Sequence, residues 1–494
     1  MSYPLRSMLS ASILLISAAG ALPAQAQTLQ SAARALDAGA TRSIQFTASG
    51  SWFQFGQAPD PSLPWPRFEV SRYVADLDYE KHASRVQIDR TQAIEPGRLR
   101  PAPVEQKVDQ YVSGPVAWSL PTGAQATGAT PTPQRQPAAV AERQAELWST
   151  PQGFLRAALA NKARARPVKG GGSELSFTVD GKYRFVGLIT PHNEVAWVRT
   201  WVDNPVLGDT LVETRFSDYR DFGGIPFPGH IERSQGGFPV LDLKVSELRA
   251  NGAASIAVPP EVAGAVASPP VVKVDKLADG VFYLTGGTHH SVLIEQADHL
   301  VVVEAPLDEA RSLAVIAKAK ETVPGKPIRF LVNTHAHFDH AGGLRTFASE
   351  GAVIVTPKAN VPYFRKAWAA PRTLNPDALA RSGKGVRFAE VDGKRVLSDG
   401  RRSIEVHSIV GSGHSDAFAL VYLPAEKILV EGDAYTPTAA NVPPPAKPNP
   451  YSVNLHDNIR KLGLDVEQIA ALHGPRVVTL ADLRTAIGET AAAR

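Results

Sequence analysis

The apolar run Ile328-Arg329-Phe330-Leu331-Val332 leads directly into Asn333-Thr334-His335-Ala336-His337-Phe338-Asp339-His340-Ala341-Gly342-Gly343. Three histidines and an aspartate fall within six consecutive positions. A buried strand that ends in such a cluster delivers several donor groups to one point at the edge of a sheet. Neutral imidazole and carboxylate are the donors that a borderline divalent metal such as zinc prefers. His335 and His337 are two apart, so an extended backbone aims both the same way. Asp339 and His340 come where the chain turns, and Gly342-Gly343 is expected to let it leave tightly. The bland alternative, a solvated histidine-rich loop, does not account for the complete spacing.

This HxHxDH pattern resembles the metallo-β-lactamase superfamily. The resemblance implies further ligands on later loops, and the chain has a residue for each. Gly411-Ser412-Gly413-His414-Ser415-Asp416 follows the strand-like run Ile404 to Val410, and His414 matches the third ligand. Lys427-Ile428-Leu429-Val430-Glu431-Gly432-Asp433 is a short apolar run ending in an acid, and Asp433 matches the bridging carboxylate. In Ala471-Leu472-His473-Gly474-Pro475, His473 matches the last histidine. On the family pattern His335, His337 and His414 hold one metal, Asp339, His340 and His473 hold a second, and Asp433 joins the two. Five of the thirteen histidines are then explained by one constellation.

The resemblance runs from Val271 to the last residue. It implies an α/β (α+β) αββα sandwich, two mixed sheets with helices outside and the site at one edge. The expected activity is that of a metal-dependent hydrolase with two Zn2+ ions, iron or manganese being possible substitutes. Two such ions ~3.5–4 Å apart can share a hydroxide that attacks an ester, lactone, thioester or amide. Asp339 would accept a hydrogen bond from that nucleophile. The bridging acid is closest to the glyoxalase II and acyl-lactone hydrolase members and unlike the usual lactam hydrolases. Two other classes stay open at this point. One is a mononuclear iron persulfide-type dioxygenase. The other is an apolar-ligand binding protein with an attached hydrolase domain.

At 494 residues the chain is long enough for two domains. Hydrophobic residues make up 44% and charged ones 20%, as in ordinary globular proteins, and a net charge of +4 implies no nucleic-acid field. A small-molecule substrate is the expected partner, with no nucleic acid and no integral membrane segment. Residues 1–26 read as a secretory signal. Arg6 is the positive start, Met8 to Leu22 the apolar stretch, and Ala24-Gln25-Ala26 the cleavage site. The absence of cysteine excludes disulfides and the superfamily subclass with a cysteine ligand. Together these fit a periplasmic or secreted bacterial protein.

Residues 27–250 read as a β-rich accessory domain. Ile44, Phe46 and Ala48 alternate with polar neighbours, as do Tyr73, Ala75, Leu77 and Tyr79. Leu175, Phe177 and Val179 run into Asp180-Gly181, a hairpin signal. Val195 to Trp201, Val212 to Phe216 and Leu241 to Val245 are further strands, with Trp197 and Trp201 expected to build a core or groove. Tyr219 to Pro228 resembles the last hairpin of periplasmic lipoprotein-carrier-like half-barrels, a curved sheet that could hold an apolar ligand but is expected rather to dock on the catalytic domain. The Pro/Ala/Gln-rich stretch near 120–139 reads as a loop, and Ala141 to Ala160 as one helix. Asn251 to Pro270 reads as a Pro-rich linker. All seven metal-ligand candidates lie after it, so a chain starting near Val271 is expected to hold the whole catalytic apparatus.

Other residues carry weaker expectations. Tyr435, two after Asp433, is a candidate catalytic proton donor. His289 and His290 lie in a turn that the resemblance places at the rim, as candidate substrate contacts. His456 is expected to face away from the buried stripe Leu455, Ile459 and Leu462. His82, His192, His230, His299 and His407 read as structural or solvated. Glu304 stands where the family usually has an aspartate behind the metal loop, which puts that supporting role in question. Leu313, Ile316 and Ala317 are expected on the buried face of a helix from Asp308. The Pro-rich run Asn441 to Pro450 is expected to wall the substrate pocket or to serve as a plain connector.

Overall fold

A computed structural model describes residues 24–122, 131–252, 256–264, 269–443 and 446–489. Most of the expected secretory signal lies outside these residues. Ala24 to Ala26 open an α-helix, Ala24–Ala35. Among the described residues no helix is long and apolar enough to cross a membrane.

The first half is one antiparallel sheet of thirteen strands. Strands Ser43–Phe53 and Phe238–Ala250 pair at its middle. From Ser43–Phe53 the sheet meanders outward to Gln134–Arg135. The chain then crosses to the far edge at Arg164–Pro167 and meanders back. The crossing is helical, and here the expected single helix is two, Val140–Trp148 and Pro151–Ala160. Pro151 lacks the N–H that would continue the first helix, and Thr150 caps the second by accepting from Gly153 N. Leu147, Phe154 and Ala158 pack on the sheet against Phe46, Leu175, Phe185 and Leu243.

Alternation read from the sequence matches the buried faces of most strands. Trp197 and Trp201 are the exception. Val198, Thr200 and Val202 take the buried positions of Val195–Asn204, because a bulge between Val195 and Trp197 shifts the register. The two tryptophans remain half-buried on the other face, beneath the guanidinium groups of Arg199 and Arg184. Tyr219 to Pro228 does turn between paired strands, but the last hairpin follows it, from Pro226–Gln235 to Phe238–Ala250. The Pro-rich segment after Ala250 is not bare linker. Its short helix Pro260–Ala263 buries Val262, and with Ile256 this residue packs beside Trp118 and Ala83.

The second half has two mixed sheets, of seven and six strands, face to face. Val292, Ile294, Val301, Val303 and Val332 of one meet Val406, Val421, Val430 and Ala470 of the other. Helices Glu309–Thr322, Leu344–Glu350 and Asn360–Trp368 cover the outer face of the first sheet. Pro450–Leu462 and Leu480–Ala486 cover the second. The central strands are buried on both faces and therefore read as unbroken apolar runs. Helix Glu309–Thr322 is rotated from expectation. It buries Arg311, Ser312, Val315, Ile316 and Ala319, whereas Leu313 and Ala317 face solvent. Arg311 turns inward because its guanidinium donates to the carbonyls of Val271, Thr285 and His289.

Candidate metal centre

Strand Ile328–Val332 ends at the sheet edge, and the chain enters the single-turn helix Phe338–Ala341. The loops after Ser403–Ile409, Ile428–Glu431 and Gln468–Ala471 reach the same edge from the opposing sheet. The donor atoms of His335, His337, His414 and Asp433 lie within 4.8 Å of one another. Those of His289, Asp339, His340 and His473 form a second such group. Asp433 faces both. Its Oδ2 is 3.1 Å from His414 Nε2, and its Oδ1 is 2.8 Å from His340 Nε2 and 3.0 Å from His473 Nε2. All seven expected ligands therefore meet at one place.

The glycines that make this possible act through space more than through dihedral freedom. Neither Gly342 nor Gly343 has positive φ. A Cβ on Gly342 would stand 1.8 Å from the Leu307 carbonyl oxygen, and one on Gly343 would stand 1.7 Å from Ser312 Oγ. At Gly432 a Cβ would meet Thr334 Oγ1 at 2.8 Å.

Behind the ligands is a buried polar frame centred on Glu304. Its Oε2 accepts from Thr334 Oγ1 at 2.5 Å and from His340 Nδ1 at 3.0 Å. Its Oε1 accepts from Asn333 Nδ2 at 3.0 Å. Glutamate thus fills the supporting role in doubt from the sequence. Its backbone sits at φ 73°, a left-handed conformation costly for a residue with Cβ. The strain is held by Ser291 Oγ donating to the Glu304 carbonyl and Glu304 N donating to that of Val332.

This frame fixes histidine tautomers. The Thr334 hydroxyl spends its proton on Glu304, so it accepts from Nδ1–H of His335, 2.9 Å away, and Nε2 of His335 is bare. His340 donates Nδ1–H to Glu304 and turns Nε2 to the site. His337 is reversed. Its Nε2–H donates to the Ala58 carbonyl at 3.0 Å, and its buried Nδ1 has no partner. An orphaned buried nitrogen among converging imidazoles and carboxylates fits a bound cation, and the all-nitrogen-and-oxygen donor set suits zinc.

The charges agree. Burial holds His337 down at about 3, with His414 adding to the effect, and burial with His340 and His337 nearby keeps His335 well below its usual value. Burial alone would raise Asp433, but His340 and His414 outweigh it and hold the carboxyl well below the usual range. His340 is also desolvated, yet Asp433 and Asp339 raise it well above the ordinary histidine value.

The weaker candidates separate. His289 belongs to the second group, with Nε2 3.2 Å from Asp339 Oδ2 and its ring centroid 4.1 Å from that of His473. His290 does not line the rim. It is buried, with Nε2 2.7 Å from the Gly474 carbonyl oxygen, and braces the His473 loop. Tyr435 is packed among Leu455, Ile459 and Leu483, with the Arg476–Asp482 pair near its phenol, and it joins neither donor group. His456 is buried, contrary to the helical pattern, and pairs with Glu489 at 3.3 Å. Asn441, Val442 and Pro443 line a separate ≈ 530 Å³ cavity with Tyr435 and Arg476.

Sequence reasoning missed the contribution of the first half. Gln57 Nε2 donates to Asp339 Oδ1 at 2.7 Å. Arg98 grips Asp416, beside His414, with two hydrogen bonds of 2.7 and 3.0 Å. Neither lies in a motif or at the end of a periodic run, so no local signal marked them.

Residues 284–478 match a family model described as the metallo-beta-lactamase superfamily. A metallo-beta-lactamase type 2 of Elizabethkingia meningoseptica is 26% identical over 171 residues, which are 33% of this chain and 62% of the relative. Among solved structures, a metallo-beta-lactamase from Hirschia baltica shares 22% identity over 44% of this chain and 97% of its own, with a TM-score of 0.33. A stereoselective inverting sec-alkylsulfatase from a Pseudomonas species shares 15% over 44% of this chain and 40% of its own, with a TM-score of 0.33. Residues 284–478, which carry the whole donor set, are thus similar to the metallo-beta-lactamase superfamily. The chain spans 62% of the length of this curated relative, and that relative aligns to a third of this chain.

Proposed function

We infer that the protein is a dinuclear zinc hydrolase acting on an ester, lactone, thioester or amide bond. The observation that carries this reading is Asp433, whose two oxygens face two separate donor groups, each of which holds histidine nitrogens. His335 Nε2, His337 Nδ1 and His414 Nε2 would hold one ion, and Asp339, His340 and His473 the other, with Asp433 between them. Two divalent ions held there would supply Lewis acidity and an activated water at neutral pH.

The protein's own groups set the rest. Glu304, Thr334 and the Ala58 carbonyl keep the imidazoles of His340, His335 and His337 in their ligating tautomers. Asp339 is held on Oδ1 by Gln57 and on Oδ2 by His289, so its remaining lone pairs have fixed directions and one can accept a proton from an attacking water. The acid between the donor groups favours a kinship with glyoxalase II and acyl-lactone hydrolases within the superfamily. The N-terminal residues favour action outside the cytoplasm.

Metal analysis of protein purified without added metal, followed by esters, lactones, thioesters and amides, tests the reading. About two zinc ions per chain and hydrolysis of at least one class are expected. One iron per chain, with no hydrolysis gained on adding zinc, would overturn it in favour of an oxygenase.

A further inference from the structure

Between strands Ser43–Phe53 and Arg67–Asp78 the first half sends a loop across the mouth of the metal loops. Four consecutive residues of it touch them. The Gly56 carbonyl accepts from Phe338 N at 3.1 Å. Gln57 Nε2 donates to Asp339 Oδ1. The Ala58 carbonyl accepts from His337 Nε2. The Pro59 carbonyl accepts from Asp416 N at 2.8 Å, in the loop that carries His414. The strap is anchored by aromatic packing. The Phe338 ring, one residue from His337 and one from Asp339, lies edge-on to Phe55 at 5.3 Å and to Trp65 at 5.7 Å. Gly56 sits beneath that ring at φ 81°, where a Cβ would be 2.6 Å from Phe338 Cγ.

We propose that the Gly56–Pro59 strap is an integral part of the metal centre, with the Ala58 carbonyl fixing His337 for ligation through Nδ1 and Gln57 positioning Asp339. The proposal rests on the reading of this site as a metal centre. A neutral imidazole carries one proton, and the acceptor on one nitrogen decides which nitrogen is left to bind a cation. For His335 and His340 that acceptor comes from the second half of the chain, through Thr334 and Glu304. For His337 it comes from the first half, some 280 residues earlier in sequence. Without the strap, Nε2–H of His337 would lose its buried acceptor, and both tautomers would become accessible. Asp339 would lose one of the two donors that set its orientation. Gln57 and Ala58 are positioning residues in this account, since each acts on a ligand and not on a reacting atom.

The test uses the full-length chain and zinc alone. Gln57→Ala and Gln57→Met remove the donor, and Gly56→Leu displaces the strap from Phe338. Zinc affinity is measured by competition with a chelator, and the thermal midpoint of the metal-free protein is recorded alongside. The His337 tautomer is read from its imidazole nitrogen shifts. Zinc affinity is expected to fall about 10–100-fold in the Gln57 variants, with the metal-free midpoint close to that of the parent. In Gly56→Leu the His337 shifts are expected to change from Nε2–H alone to a mixture. A role limited to stability would lower the midpoint and leave affinity and tautomer unchanged, which would overturn the proposal. Parent-like affinity in both Gln57 variants would overturn it as well, and these two variants decide the matter if Gly56→Leu does not fold. A parent protein that takes up no metal would sink the functional reading itself, and the strap's role with it.

Discussion

Asp433 and His340 show how much of this site resides in single side chains. Asp433 faces His414 with one oxygen and His340 with His473 with the other. Asp433→Asn keeps the shape but removes the charge between the two donor groups. Most hydrolysis should be lost and the second ion bound more weakly, both readable from kinetics and metal content on one preparation. Near-normal turnover with both ions present would mean that Asp433 does not join them. Burial opposes the charged ring of His340, yet Asp433 and Asp339 raise it well above the ordinary histidine value in the metal-free protein, which favours a second proton on the ring. A metal needs the neutral ring, so binding must expel that proton. Adding zinc in weak buffer near neutral pH should therefore acidify the solution, and an unchanged pH would show His340 already neutral. The convergence of the seven candidate ligands was legible in the sequence, because each ends an apolar run and the spacing of the first four is dense. The fate of Tyr435 and His290 was not. Both lie next to motif residues, yet their rings turn to the core and to the Gly474 carbonyl, and direction at a strand end is set by packing that no local pattern records.

At the level of elements, the strands of both halves were readable from period-2 alternation and continuous apolar runs, and the helices less well. Helix Glu309–Thr322 turned because Arg311 satisfies three carbonyls, a gain that outweighs burying Leu313. The split at Pro151 follows from an ordinary rule, since proline lacks the N–H that would continue the first helix. Close contact between elements gives a sharper prediction. Ser312 on that helix comes so near Gly343 that a Cβ would sit 1.7 Å from its Oγ. Gly343→Ala must push the helix from the metal loop, and overpacking of this kind costs about 1–3 kcal/mol. The thermal midpoint should drop clearly, and Ser312→Ala in the same chain should restore part of it. An unshifted midpoint for Gly343→Ala alone would show that the contact relaxes freely.

At the scale of the whole molecule the two halves dock on one another, which bears on the expectation of a self-sufficient second half. A chain beginning near Val271 contains every expected ligand, but it would expose what the first half covers. Val206 is buried among Leu284, Leu293 and Leu331, and the buried Arg372 donates to the carbonyls of Asn204, Pro205 and Val206. Such a truncated chain should be poorly soluble or markedly less stable, and it should hold zinc more weakly than the full chain. Soluble protein with full zinc affinity and undiminished hydrolysis would restore the picture of two independent modules. The sequence could not reveal this dependence, since partners so distant in the chain leave no periodic trace. One further consequence follows from the contact being made largely through main-chain oxygens. A carbonyl is the same whichever residue carries it, so Ala58 and Pro59 could be exchanged during divergence while the contact persists. Among distant cousins the strap would leave almost no recognisable imprint except a glycine under an aromatic ring. Its presence would have to be sought in shapes, not in matching letters.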